Sequence, residues 1–248
     1  MRSLAGIRRN EQPPPATDPS HDTMHLRGVY RSMRKRLVIA AFYLVFFESA
    51  MAADLTATVK DHEGRAIEDA VVLAVAHTNT AMPPTKPTDA VVDQIDKEFV
   101  PYVKPVLVGS LVHFPNKDNI RHHVYSFSPA KRFDLPLYSG TSAPPVLFDK
   151  PGVVILGCNV HDWMISYVYV ADTPYFAKTA KDGKALIKNV PAGHYTIRVW
   201  HPRMEGTEDA TNQPLVVASA GAEVAWQIKL KPDVRFRRAP IPGASVYR

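Results

Sequence analysis

From residue 54 onward, apolar positions recur at every second place in short bursts, and Gly, Pro, Asn or Asp closes each burst. Residues 55–59 alternate and run into an Asp61-His62-Glu63-Gly64 turn, while residues 70–76 form a continuous apolar run of the doubly buried kind. Two short strands, residues 106–108 and 111–114, flank Gly109-Ser110, and residues 124–127 alternate again. Residues 153–156 and 165–170 bracket a tight loop. In the last third, Asp182-Gly183 and Pro191-Ala192-Gly193 are turn signals, and residues 223–230 supply one more alternating strand. Between Thr78 and Asp89 the chain is rich in proline and threonine and has no period, as expected of a loop. No long stretch keeps a period of 3.6. The pattern predicts an all-β protein.

The first fifty residues follow another logic. Arg34-Lys35-Arg36 precedes an apolar run at residues 37–47, and Ala50-Met51-Ala52 has the small-x-small form of a cleavage site. This predicts a signal peptide at 33–52, with an apolar run too short to remain as a membrane span. Residues 1–32, with Pro13-Pro14-Pro15, read as a disordered extension or as the product of an upstream start, Met33 then being the true beginning. Setting residues 1–52 aside changes the charge picture. The formal net charge of +6 falls to +2, because 22 Lys/Arg then face 20 Asp/Glu. Nothing remains that argues for nucleic-acid binding. Arg235, Arg237 and Arg238 lie in a tail, 233–248, that reads as flexible.

Export sharpens the meaning of the single cysteine. In an oxidising compartment a structural cysteine ordinarily has a partner, and Cys158 has none within the chain. It stands in Cys158-Asn159-Val160-His161-Asp162-Trp163-Met164, and His122-His123 lies upstream. One thiolate, two imidazoles and a thioether make up the ligand set of a mononuclear blue-copper centre, with methionine as the weak axial donor. A loop this tight brings three side chains to one point if it bridges two neighbouring strands. The upstream histidine then comes from a strand beside them. Alternation sends His122 and His123 to opposite faces, Val124 sharing the face of His122, and a one-residue slip would exchange the two histidines. The ligand candidates are therefore His122, Cys158, His161 and Met164, with His123 as the alternative to His122. Asp162 is a candidate to orient His161. Trp163 is placed to shield the site or to form part of a docking face, and His201, after Trp200 at a strand end, reads as a surface residue.

The segment Val112-His113-Phe114-Pro115-Asn116-Lys117-Asp118, followed by His122-His123-Val124, resembles the first-ligand region of plastocyanin-like cupredoxins. The spacing of Cys158, His161 and Met164 is similar to that of amicyanin. His122 through Tyr138, with Cys158 to Pro174, resembles the bacterial plastocyanin-like group labelled methylamine utilization proteins. Two departures stand out: His123 occupies a position often held by asparagine, and Leu156 one often held by an aromatic residue. The flanking segments at residues 59–71, Asp182-Gly183 and 191–195 resemble carboxypeptidase regulatory-like domains, which are small transthyretin-like sandwiches. Together these resemblances imply a cupredoxin-like Greek-key sandwich (91–173) inserted in, or packed beside, a regulatory-like sandwich (53–90 and 174–232).

The function expected from this reading is a periplasmic electron carrier with one copper ion cycling between Cu(I) and Cu(II). Its partner would be another exported redox protein, a dehydrogenase or a cytochrome c-like protein, met transiently. The alternatives are a copper carrier or chaperone, and a structural or adhesion module in which the metal is a staple. No second histidine cluster, thiol pair or nucleophile–base motif points to an enzyme.

Overall fold

The computed structural model describes residues 52–77, 86–141 and 143–233. The expected N-terminal extension, almost all of the signal segment, most of the proline- and threonine-rich loop and the tail from residue 234 lie outside the described residues. Strands make up the regular structure: β1 (Ala52–Lys60), β2 (Val71–Ala76), β3 (Ala90–Val91), β4 (Asp93–Ile95), β5 (Glu98–Val100), β6 (Val103–Leu107), β7 (Ser110–His113), β8 (His122–Ser128) and β9 (Lys131–Tyr138). They continue with β10 (Val146–Phe148), β11 (Gly152–Gly157), β12 (Ile165–Ala171), β13 (Phe176–Lys178), β14 (Lys184–Pro191), β15 (Gly193–Trp200), β16 (Gln213–Val217) and β17 (Ala222–Gln227). A short 3-10 turn at Glu208–Thr211 is the one helical element among the described residues. The protein is all-β.

Two pairs of sheets enclose two apolar cores. Sheets ordered β14-β1-β17 and β13-β2-β15-β16 cover a core of Leu55, Ala57, Val59, Val72, Ile187, Tyr195, Ile197 and Val199, among others. The five-stranded sheet β6-β12-β11-β8-β9 and the sheet β10-β7-β3 cover a second core, which includes Val112, Val124, Phe148, Val154, Leu156, Cys158 and Met164. A third, smaller cluster of Val71, Leu73, Val103, Tyr169 and Ala171 joins the outer faces of β2 and β12. This explains two continuous apolar runs. β2 and β12 are buried on both faces, so neither has a solvent side on which polar residues can alternate.

The topology places residues 158–164 as the tightness of that loop required. β11 and β12 pair antiparallel from Gly152 with Val170 to Gly157 with Ile165, and residues 158–164 bridge them. β8 lies on the other side of β11, with Gly157 opposite Tyr125. Because Gly157 has no side chain, the Tyr125 ring lies against the backbone one residue before Cys158; an added Cβ would fall 2.8 Å from it.

Candidate metal centre

The loop leading into β8 is set by Asn116, which is 4% exposed. Its Nδ2 donates to the carbonyls of Ile120 (2.8 Å) and Tyr138 (2.9 Å), and its Oδ1 accepts the Asp118 N–H at 2.9 Å. This turn delivers His122 to the core at 0% exposure. From the other side, residues 158–164 fold back on themselves, the Met164 N–H donating to the His161 carbonyl at 3.0 Å. The result is convergence: a ligand atom from each of His122, Cys158 and His161 lies within 4.8 Å of the other two. The two imidazole rings are 5.0 Å apart between centroids. Met164 is 1% exposed and packs in the same apolar cluster as Cys158.

The nitrogen that faces inward can be identified. His122 Nε2–H donates to Asp118 Oδ2 at 2.7 Å, which fixes the proton on that nitrogen and leaves Nδ1 as a bare lone pair. His122 Nδ1 and His161 Nδ1 are both buried without a hydrogen-bond partner. A buried polar atom left unpaired costs about 1–3 kcal/mol, and a metal ion bound beside the buried thiol would offset that cost for both rings. Burial pushes the His161 pKa below its ordinary value, the proximity of His122 and Lys97 adding to the shift and Asp118 opposing it. Burial alone would raise the Asp118 carboxyl, but hydrogen bonds from His122 and from the Lys97 and Asp96 amides hold it below the usual value. Two imidazoles, a thiol and a neighbouring thioether suit a soft, redox-active ion such as copper better than a hard cation.

No family model matches the sequence, and no curated protein matches it. Among solved structures, the chain is similar to a purple cupredoxin from Nitrosopumilus maritimus, at 22% identity over 34% of this chain and 100% of that one, with a TM-score of 0.31. It is also similar to a mutant of amicyanin in its oxidised state, at 22% identity over 34% of this chain and 82% of that one, with a TM-score of 0.31. A copper-containing nitrite reductase from Thermus scotoductus aligns at 23% identity over 40% of this chain, with a TM-score of 0.33; the alignment spans 25% of that enzyme's chain.

The remaining sequence expectations divide. His123 stays outside the cluster: its Nε2–H donates to Asp134 Oδ1 at 2.6 Å and its ring packs 5.3 Å from that of Tyr125. Simple alternation is nevertheless the wrong reason for this. The β8–β9 register shifts between His122 and Val124, and residues 122, 123 and 124 are all buried. Asp162 does not orient His161. It is exposed and no hydrogen bond joins the two; the carboxylate that holds a ring of the cluster is Asp118, on the other loop. Trp163 packs against His161 with ring centroids 5.0 Å apart, and its indole N–H donates to the Lys97 carbonyl at 3.0 Å. His201 is not a surface residue. It is 6% exposed, and its Nδ1 accepts the Arg203 N–H at 3.1 Å, because the turn after β15 folds back over it.

Sequence reasoning missed a second buried polar group near the site. Gln94, at 0% exposure, donates to the Phe114 carbonyl at 2.9 Å and to the Tyr138 hydroxyl at 2.6 Å. Burial pushes the Tyr138 pKa up to about 12; the Gln94 hydrogen bond opposes the shift and the nearby Cys158 charge adds to it.

Proposed function

We propose that this protein is an exported mononuclear type 1 copper protein that carries single electrons. The observation that carries the reading is the convergence of the Cys158 thiol with a ring nitrogen from each of His122 and His161, two buried rings whose Nδ1 atoms have no hydrogen-bond partner. In this reading His122, Cys158 and His161 would hold the metal, and the Met164 thioether would supply a further, weaker donor. Copper bound there would supply a one-electron couple. The chain's own work is positional: Asp118 fixes the His122 tautomer, and the apolar cluster containing Leu156 and Phe148 keeps water away from the thiolate. A site held in place by the fold rearranges little when an electron arrives or leaves, as a carrier requires.

The resemblances of the sequence extend the proposal. They support a cupredoxin-like sandwich at 91–173, a regulatory-like sandwich built from 53–90 and 174–232, a periplasmic location, and a transient redox partner of the dehydrogenase or cytochrome c kind. The optical spectrum of the copper-loaded, oxidised protein tests the central claim. An intense visible thiolate-to-copper band is expected. A colourless protein that holds Cu(I) tightly and resists oxidation would replace the carrier with a copper chaperone.

A further inference from the structure

The hairpin of β4 and β5 supplies no ligand, yet its tip touches both ligand loops. Ile95 pairs with Glu98, so the tip is the two-residue turn Asp96-Lys97. Both residues lie in the left-handed region, at φ 53° and 62°, where hairpin turns usually place Asn-Gly. A single carboxylate holds this turn in place. The Asp96 N–H donates to Asp118 Oδ1 at 2.7 Å and the Lys97 N–H to Asp118 Oδ2 at 2.9 Å. The same Oδ2 accepts the His122 Nε2–H at 2.7 Å. From the other loop, the Trp163 indole N–H donates to the Lys97 carbonyl at 3.0 Å, and the Trp163 ring lies against His161. The amide of Lys97 thus leads to one histidine and its carbonyl to the other.

We propose that the Asp96-Lys97 tip is a clasp that holds the two histidine ligands in register before the metal binds, with Asp118 and Trp163 as its positioning residues. The proposal rests on the copper reading given above. Its logic is mechanical. His122 and His161 come from separate loops, and their inward nitrogens have no partner to fix the rings from within. Fixing must come from the outer edges: a hydrogen bond at His122 and a stacked ring at His161. Asp118 and Trp163, which make those contacts, both bond to Lys97, whose unusual backbone conformation the Asp118 carboxylate also maintains. The clasp uses the backbone of Lys97, so its side chain is dispensable to it.

Lys97→Pro removes the amide proton and forces φ to about −65°, which withdraws both contacts without altering a ligand. Lys97→Gly keeps both contacts and tolerates positive φ. Trp163→Phe keeps a ring on His161 and removes only the indole N–H. Copper loss to a competing chelator should be about 10–100-fold faster in Lys97→Pro, unchanged in Lys97→Gly and intermediate in Trp163→Phe. In metal-free protein, NMR should show the Trp163 indole N–H and the His122 Nε2–H protected from exchange in wild type and Lys97→Gly, and both exposed in Lys97→Pro. The clasp is overturned if Lys97→Pro and Trp163→Phe release copper at the wild-type rate, or if Lys97→Gly matches Lys97→Pro. Failure of the copper reading shows separately, as a wild type without the visible band, and the metal-free exchange measurements then decide the clasp alone.

Discussion

The core around Tyr195 and the core around Leu156 are built from similar alternating strands, yet they treat enclosed polar atoms differently. In the first, the Tyr195 hydroxyl donates to the Pro191 carbonyl (2.8 Å), the Trp226 indole to Thr211 (2.8 Å) and the Thr179 hydroxyl to Ile67 (2.7 Å). One atom beside this core, the Tyr175 hydroxyl, has no partner. The second region leaves His122 Nδ1, His161 Nδ1 and Gln94 Oε1 unpartnered, and two of these converge on a thiol. Unpaired buried atoms are costly wherever they occur. Convergence, more than number, distinguishes a site from a packing compromise. The first core is a scaffold; the second is a scaffold built around convergent metal-ligating side chains.

The largest expected effect falls on the second region alone. Cys158→Ser should abolish the visible band of the copper-loaded protein while leaving a folded β protein. Its metal-free stability should fall by about 1–3 kcal/mol, the cost of burying a hydroxyl without a sure partner. Optical titration with copper, paired with chemical denaturation, checks both halves. A mutant that kept its colour would remove Cys158 from the ligand set and erase the contrast between the cores.

Ile197→Ala is the mirror experiment. Ile197 is 0% exposed in the first core, and truncation should cost about 2–5 kcal/mol of unfolding free energy. The band position should not move. If it shifts, the small cluster of Val71, Leu73, Val103, Tyr169 and Ala171 transmits packing changes from one core to the other. Met164→Leu comes next in size. The swap nearly conserves volume, so metal-free stability should change by less than about 1.5 kcal/mol. The colour should persist and the reduction potential should rise, because losing a weak axial donor disfavours copper(II). An unchanged potential would show that Met164 serves the core and not the metal.

Much of this contrast was legible in the sequence, and the illegible parts have physical causes. The clustering of Cys158 and His161 could be anticipated because Cys158, His161 and Met164 sit within seven residues and their chemistry is distinctive. The β4–β5 hairpin could not. Strands of three residues are too short to show alternation, and Asp96-Lys97 lacks the glycine that marks such turns. Asp118 was hidden differently. A carboxylate four residues before a histidine is common, and only the turn fixed by Asn116 brings it onto His122. The burial of His201 depends on how the turn after β15 folds back, which no local pattern records.

The smallest expected effect concerns His123, the residue a one-step slip of register would have made the ligand. Its ring packs on Tyr125 and its Nε2–H reaches Asp134, whose side chain is 70% exposed. His123→Phe keeps an aromatic ring against Tyr125 and deletes the bond to Asp134. A contact to a carboxylate open to solvent contributes about 0–1 kcal/mol, so stability should change within that range. Phenylalanine cannot ligate a metal, so an unchanged band would leave His122 as the second imidazole. A colourless His123→Phe protein would mean that the bulge between residues 122 and 124 slides when copper binds, bringing His123 inward in place of its neighbour. The convergent set would then be assembled by the metal, and the second core would lose its claim to a preformed site.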